Sequence, residues 1–474
     1  LINNNESFIM IRLCKLFLCA LLILLFGTLV QGQVQKPNII VIVSDDAGYA
    51  DFQLYGHKEI PTPNIRRLAN EGVRFTNAYV TASVCAPSRA GLITGRYQQR
   101  FGFEHNPSSK LAPGFTLEDV GVDLKQSTIA DDMKANGYRT IAIGKWHLGN
   151  LDKYFPLKRG FDEFYGFREG HRDFFSYKEK VKDGFALYDN YSIVPEEKIS
   201  YLTDMLTERA IAFVDHNKTN PFFMYLAYNA VHTPLQAKQI DMDQFGNIHD
   251  KDRRTYDAMM HNMDKGIGKL FETIKNNGLE QNTLIFFIND NGGATNNGSD
   301  NGALRGMKGS KWEGGIRVAF LMKWAGQIKS GIVYDNPVSA LDILPTSLAA
   351  VGVPMSKERG DGVNLLPFLH GSSGKPHQDL FWRRGVAAAV RSGRWKLIRV
   401  KSDPILLFDL KTDISETKNL AAKNPKKVKE LLTKLSQWEK ELDQPHWYSI
   451  MGDENQIRKH RMEVVGREME KMLP

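Results

Sequence analysis

The amino-acid sequence predicts an α/β fold: a large, mostly parallel sheet sandwiched by helices, with a smaller C-terminal subdomain of antiparallel strands and a helix. Three observations predict it. From Pro37 onward, short continuously apolar runs alternate with helical segments, the pattern of strands buried on both faces and joined by crossover helices. Several of the helical segments stop at glycine, a residue that tolerates the left-handed turn ending a helix. After about residue 375 the texture changes to neighbouring strand-like runs followed by one amphipathic helix, as antiparallel strands backed by a helix require.

The chain opens on an address. Met10 begins MIRLCKLFLCALLILLFGTLVQGQ, in which Arg12 and Lys15 precede an apolar run from Leu16 to Val30 and Gly32 offers a small residue for cleavage. The run is shorter than the ~20 residues that span a bilayer. Residues 1–32 therefore read as a signal peptide with upstream residues, recognised by the export machinery and removed by signal peptidase. The protein is expected in the periplasm or outside the cell, with no retained membrane span. Cleavage removes Cys14 and Cys19 and leaves Cys85 alone. A lone cysteine in an exported chain makes no internal disulfide, so it is either an inert buried thiol or a group used for chemistry.

The strands expected next are NIIVIV (38–43), YRTIAIG (138–144), PFFMYLAYN (221–229) and NTLIFFIN (282–289). Between them, TPNIRRLANEG, STIADDMKANG, YLTDMLTERAIAFVDHN and YDAMMHNMDKGIGKLFETIKNNG read as helices. The loop NDNGGATNNGSDNGALRGMKGS (289–310) is too long for an ordinary connection, which suggests a function for it. AAAVRSGRWKLIRV and PILLFDLKTD then read as antiparallel strands, and NPKKVKELLTKLSQWEKELDQ as a helix. The expected organisation is a main domain over 37–375, a subdomain over 376–445 and a tail over 446–474.

Over 474 residues, 42% apolar and 24% charged content without long runs describes a globular protein. The net charge of +8 permits a polyanionic partner such as a sulfated glycan. With no basic block or nucleic-acid motif, nucleic acid is not an expected partner.

In open parallel sheets the ligand site lies beyond the carboxyl ends of the strands. Here those ends carry Asp45 and Asp46, then Lys145 and His147, then His232, then Asp290 and Asn291. Carboxylates brought together repel one another unless a cation sits between them, and an all-oxygen donor set suits Ca²⁺ or Mg²⁺. Taken singly, the aspartates also read as caps or an Asx turn. Lys145 and His147 lie two apart, so they face the same way if strand geometry persists. Cys85 precedes a helix expected from Pro87 or Ser88, and Arg89 adds a cation near it. That surrounding suits a thiolate nucleophile with His147 or His232 as base.

At these residues the sequence resembles the type I, formylglycine-dependent sulfatases of the alkaline phosphatase superfamily. CAPSRAGLITGR fits the C-x-P-S-R-x-x-x-L-T-G-R signature and GYRTIAIGKWHLG the second signature ending in G-K-x-H. SDDAGYAD, HTP, DNGG and KGSKWEGGIR match as well, so the resemblance covers roughly residues 37–420. It implies an alkaline phosphatase-like fold and a sulfuric-ester hydrolase resembling bacterial carbohydrate sulfatases. It also implies that a separate maturation enzyme oxidises Cys85 to formylglycine, whose hydrate attacks sulfur and later collapses to release sulfate. Asp45, Asp46, Asp290 and Asn291 match the family's Ca²⁺ ligands, and Arg89 the arginine that supports the hydrate. Lys145 and Lys308 match the lysines that neutralise sulfate oxygens; Lys311 lies close by, but alignment on EGG prefers Lys308. His147 matches the group that takes the hydrate's proton, and His232 the acid that protonates the departing oxygen. Candidate sugar contacts are His105 and Asn106, after the cysteine helix, and His171 and Arg172 in GHRDFF. Two other readings stand beside this one: a phosphate or phosphonate monoester hydrolase of the same superfamily, and an inactive glycan-binding homologue that keeps Cys85 unmodified.

Overall fold

The computed structural model describes residues 36–56, 60–177, 183–356, 358–401 and 403–449. The signal segment read at 1–32, with Cys14 and Cys19, lies outside the described residues, as does the tail from residue 450. Among the described residues no helix is long and apolar enough to cross a membrane.

In chain order the strands are β1 (Asn38–Ser44), β2 (Val73–Phe75), β3 (Ala78–Tyr79), β4 (Arg139–Lys145), β5 (Glu163–Phe167), β6 (Tyr188–Asp189), β7 (Ser192–Ile193) and β8 (Phe222–Ala227). There follow β9 (Thr283–Asn289), β10 (Phe320–Trp324), β11 (Ile332–Tyr334), β12 (Val338–Ser339), β13 (Asp379–Arg384), β14 (Ala387–Ser392), β15 (Trp395–Val400) and β16 (Leu406–Asp409). Ten of these form one sheet in the order β11-β2-β10-β9-β1-β8-β4-β5-β6-β7. Its centre, β9-β1-β8-β4-β5, is parallel throughout. Antiparallel β10 and β6 flank that centre. The four runs read from the sequence as strands are thus adjacent, and their carboxyl ends open on one rim.

The continuous apolar character of β1 follows from its two covered faces. Ile39, Val41 and Val43 enter a core with Tyr225, Phe286 and residues of the helices Cys85–Thr94, Ile129–Ala135 and Ile343–Ala350. Ile40 and Ile42 point the other way, into a core with Met224, Phe287 and residues of Leu202–His216 and Lys251–Asn276. Successive side chains of a strand alternate sides, and each fully buried Val or Ile contributes roughly 1.5–3 kcal/mol. The Lys251–Asn276 helix starts one turn before the apolar periodicity does, because Asp250 caps it by accepting the Arg253 N–H.

The small sheet is antiparallel, in the order β13-β14-β15-β16. The Pro425–Glu439 helix packs Leu431, Leu435 and Trp438 on one face, against Val390, Leu397 and Leu407. The other face, through Trp382, Ala389, Ile398 and Phe408, packs on Tyr79, Trp312 and Ile316. That second contact fastens the small sheet to segments leading into the rim.

Candidate active site

Cys85 is the first residue of its helix, not a residue two or three positions ahead of it as the sequence suggested. The reason is a cap supplied from elsewhere: Asn106 Oδ1 accepts the Ala86 N–H at 3.2 Å, occupying one of the donors that a helix start leaves free. Pro87 adds no N–H to that first turn. At the far end Gly95 takes φ 63°, and a Cβ there would stand 2.9 Å from Leu344 Cβ. Both ends of the cysteine helix are therefore fixed.

Cys85 is buried, with Sγ 4.0 Å from Asp46 Oδ1. Burial pushes its thiol up to about 11; Lys145 and Lys308 pull it down, and the Asp290 and Asp45 charges push it further up. Desolvation thus works against the thiolate that the helix start and Arg89 suggested. Arg89 instead turns inward. Its Nε and Nη2 reach Asp290 Oδ2 at 2.9 and 2.8 Å, Nη2 lies 3.7 Å from Asp45, and Nη1 donates to the Lys145 carbonyl at 3.1 Å.

Three carboxylates meet beside the cysteine. Lys145 Nζ lies 2.5 Å from Asp45 Oδ2, and Lys308 Nζ lies 2.7 Å from Asp46. Asn291 Nδ2 donates to Asp46 Oδ1 at 2.7 Å, and the Asp46 N–H donates to Asp290 Oδ1 at 3.3 Å. Burial opposes ionisation of Asp46, yet Lys308, His232 and Lys145 overcome it and hold the carboxyl well below its usual range. Asp290 is raised, by burial and by the neighbouring Asp45 charge. Asp46 itself takes φ 60°, a left-handed conformation uncommon outside glycine. Asp45 Oδ1 and Asn291 Oδ1 are buried acceptors with no hydrogen-bond donor, which is costly unless a cation faces them. Asp45, Asp46, Cys85 and His232 offer ligand atoms all within 4.8 Å of one another. The donor chemistry and the two orphaned oxygens fit a hard divalent ion.

Lys145 and His147 do not face the same way by strand alternation, as their spacing suggested. The strand ends at Lys145, and His147 takes φ 59°. The turn buries the His147 ring under Gly170, where an added Cβ would lie 2.6 Å from its Cε1. Burial and then the Lys145 and Arg89 charges hold this histidine well below its ordinary pKa.

His232 Nδ1 lies 2.6 Å from the Thr233 carbonyl and Nε2 3.4 Å from Asp46 Oδ2. A carbonyl oxygen only accepts, so Nδ1 carries a proton. Burial pulls the ring down to about 3, against the pull of Asp46 and with the help of Lys308. In the neutral ring Nε2 has no proton, and only the imidazolium donates there. His171, which is exposed, stacks on His232 with centroids 6.2 Å apart and planes 17° apart.

The other expected sugar contacts sit differently. Arg172 is buried, donating to the Asp173 carbonyl at 3.0 Å with its guanidinium 4.9 Å over the Tyr177 ring. His105 is buried, its ring 6.1 Å from that of Tyr448. Trp447 Nε1 donates to the backbone carbonyls of His105 and Asn106. Lys311 is buried with Nζ 3.4 Å from Ser83 Oγ, whereas Lys308 reaches the Asp46 carboxylate.

Sequence reasoning missed Asn297, whose Nδ2 donates to the Asp46 and Val231 carbonyls at 3.0 and 3.2 Å and ties the long loop to the rim. It also missed the buried Tyr225 of β8, which is in electrostatic contact with Arg89. The excessive length of the 289–310 loop was the signal for Asn297; Tyr225 sits in an apolar run that gives none.

The chain matches the Sulfatase family model over residues 37–353 and the model "N-sulphoglucosamine sulphohydrolase, C-terminal" over residues 308–444. It is 30% identical to "Uncharacterized sulfatase YdeN" of Escherichia coli (strain K12), with 84% of each chain covered. It is 31% identical to N-acetylgalactosamine-6-sulfatase of Mus musculus, over 78% of this chain and 73% of that one. Among solved structures it resembles Ps i-CgsB in complex with k-i-k-neocarrahexaose at 38% identity and TM-score 0.81, covering 93% of this chain and 100% of that one.

Proposed function

The chain belongs to the sulfatase family, a family of sulfuric-ester hydrolases, and on that premise we propose that it removes sulfate from sulfated polysaccharides or oligosaccharides after export to the periplasm or the medium. The observation that carries this reading is the placement of Cys85, buried at a capped helix start 4.0 Å from Asp46, with the Lys145 and Lys308 ammonium groups on the adjoining carboxylates.

In this reading Cys85 is converted to formylglycine by a maturation enzyme, and the aldehyde's hydrate supplies the hydroxyl that attacks sulfur. Asp45, Asp46, Asp290 and Asn291 would hold Ca²⁺, which would supply Lewis-acid polarisation of a sulfate oxygen. The chain's own residues do the rest. Lys145 and Lys308 place fixed positive charge where the sulfate oxygens sit, so the developing charge needs no solvent reorganisation. Arg89, bound to two of the carboxylates, keeps them aimed at the rim. His147 takes the proton released as the hydrate collapses to aldehyde. His232 protonates the leaving sugar oxygen through Nε2 as an imidazolium, a form that burial disfavours in the free site and that Asp46 at 3.4 Å and the charge of a bound sulfate favour, its Nδ1–H held on Thr233. His171, stacked on His232 and open to solvent, is the candidate nearest the leaving sugar; His105, Asn106 and Arg172 shape the rim from behind.

For the substrate class, the structural relative bound to a neocarrahexaose favours a sulfated galactan of the carrageenan type. The net charge of +8 suits such a polyanion. Desulfation of defined carrageenan, fucan, ulvan and glycosaminoglycan oligosaccharides, followed by NMR, tests it. Loss of sulfate from galactan oligosaccharides alone is expected. Turnover of aryl phosphate in preference to aryl sulfate would overturn the reaction class.

A further inference from the structure

Lys308 sits on a segment whose two ends are held from outside the large sheet. Gly314 N donates to the Arg305 carbonyl at 2.7 Å and closes the segment into a loop. Along it, Lys308 N donates to the Gly293 carbonyl at 2.8 Å and Gly309 N to the Ser83 carbonyl at 2.7 Å, so the loop lies against the stretch just before Cys85. At its base stands Glu416, a fully buried residue of the connection after β16. Glu416 Oε2 accepts the Glu313 N–H at 2.7 Å, and its backbone carbonyl accepts Arg305 Nη1 at 2.8 Å. One residue thus grips both ends of the loop.

The grip is itself held by charge. Lys396 of β15, fully buried, lies 2.8 Å from Glu416 Oε1 and 2.9 Å from Glu313 Oε1. Glu313 Oε2 takes the Tyr79 hydroxyl at 2.6 Å. A buried lysine between two carboxylates is seldom more stabilising than apolar side chains of the same volume, because desolvation offsets the attraction. What it does confer is a single geometry, since each charge has one place where it is satisfied.

We propose that Glu416 and Lys396 are positioning residues through which the small sheet fixes the 305–314 loop and so sets the place of the Lys308 ammonium at the reacting sulfate. The inference rests on the reading of Lys308 as a sulfate-neutralising lysine. A lysine that drifts loses more of its hold on the transition state, where charge is redistributed, than on the bound ester. The effect therefore falls on kcat and leaves KM nearly unchanged.

The test uses the full, matured enzyme with 4-nitrophenyl sulfate, measuring kcat, KM and Tm for Glu416→Ala, Glu416→Gln, Lys308→Ala and the double variant Lys396→Met/Glu416→Leu. Glu416→Ala is expected to lower kcat about tenfold or more with KM within about twofold. Glu416→Gln keeps an oxygen for the Glu313 N–H and recovers most of that loss. The double variant keeps the fold by apolar packing and shows the same fall in kcat; it decides the matter if Glu416→Ala does not fold. Wild-type kcat in the folded variants, with or without a lower Tm, overturns the inference while Lys308→Ala is strongly impaired. Full activity of Lys308→Ala overturns instead the reading of Lys308 itself.

Discussion

Lys308 Nζ lies 2.7 Å from Asp46, a carboxylate that the strand order brings to it from the opposite end of the large sheet's sequence. Lys145 stands in the same relation to Asp45, at 2.5 Å. Each ammonium is therefore placed by a carboxylate before any sulfate arrives, which removes the cost of ordering a long side chain during the reaction. Replacing Lys308 by alanine removes one preorganised charge. It is expected to lower kcat/KM by ~10²–10³, as loss of one oxyanion donor does elsewhere, with the melting temperature little changed. Steady-state kinetics on an aryl sulfate measure it.

The neutral His232 ring has its Nδ1 proton on the Thr233 carbonyl. If its imidazolium protonates the leaving oxygen, the cost of removing it depends on how much the leaving group needs that proton. His232→Ala is expected to lose ~10²–10⁴ in rate on a sugar sulfate and far less on 4-nitrophenyl sulfate, whose phenolate leaves unaided. Equal losses on both substrates would count against acid catalysis by this residue.

Gly170 covers the His147 imidazole so closely that a Cβ would stand 2.6 Å from Cε1 and 2.8 Å from Nε2. Gly170→Ala must therefore displace the ring. The expected result is a fall in kcat of at least about tenfold, 1.4 kcal/mol of transition-state stabilisation, with a folded protein by circular dichroism. Unchanged kcat would show that His147 has room to move or no role in turnover.

Asp45 Oδ1 and Asn291 Oδ1 are buried oxygens at the rim without donors. If a divalent ion satisfies them, chelation abolishes activity and lowers Tm, and added Ca²⁺ restores both. Saturation at ~100 times Kd stabilises the fold by about 2.7 kcal/mol. Calorimetry with EGTA and then with Ca²⁺ or Mg²⁺ distinguishes the two ions.

Far from this site, His377 Nε2 lies 2.8 Å from Asp342 Oδ1. Burial lowers the imidazole's pKa, but the Asp342 charge and hydrogen bond outweigh it and the net shift is upward. Folding thus favours the protonated ring. The stability it contributes is fully present below the unfolded value of ~6.5 and is lost as pH rises through the higher folded value. His377→Gln is expected to flatten the fall in Tm above neutral pH, as thermal melts across that range would show.

The parts of this molecule that are legible in its sequence are those where one physical demand dominates. β1, β4, β8 and β9 are covered on both faces, so their apolar runs announce them, and the rule of carboxyl-end loops then gathers Asp45, Asp46, Lys145, His232, Asp290 and Asn291. The short flanking strands β2 and β11 carry no such run, and a pairing partner remote in sequence decides each of them. Cys85 shows the same limit at the scale of one residue. Its helix start and Arg89 suggested an acidic thiol, but burial pushes the thiol the other way. His147 shows it too, since a left-handed backbone breaks the alternation that its spacing implied. Asn106 read as a loop polar group near the rim, yet its side-chain oxygen is engaged by Ala86, a partner 20 residues away.

The most direct measurement is peptide mass spectrometry of the segment around Cys85 in protein made beside a competent maturation enzyme, paired with its rate of aryl sulfate hydrolysis. The expected result is an aldehyde at position 85 in proportion to activity, and none of either in Cys85→Ala. Full activity in protein whose Cys85 is wholly an unmodified thiol would contradict the proposed mechanism.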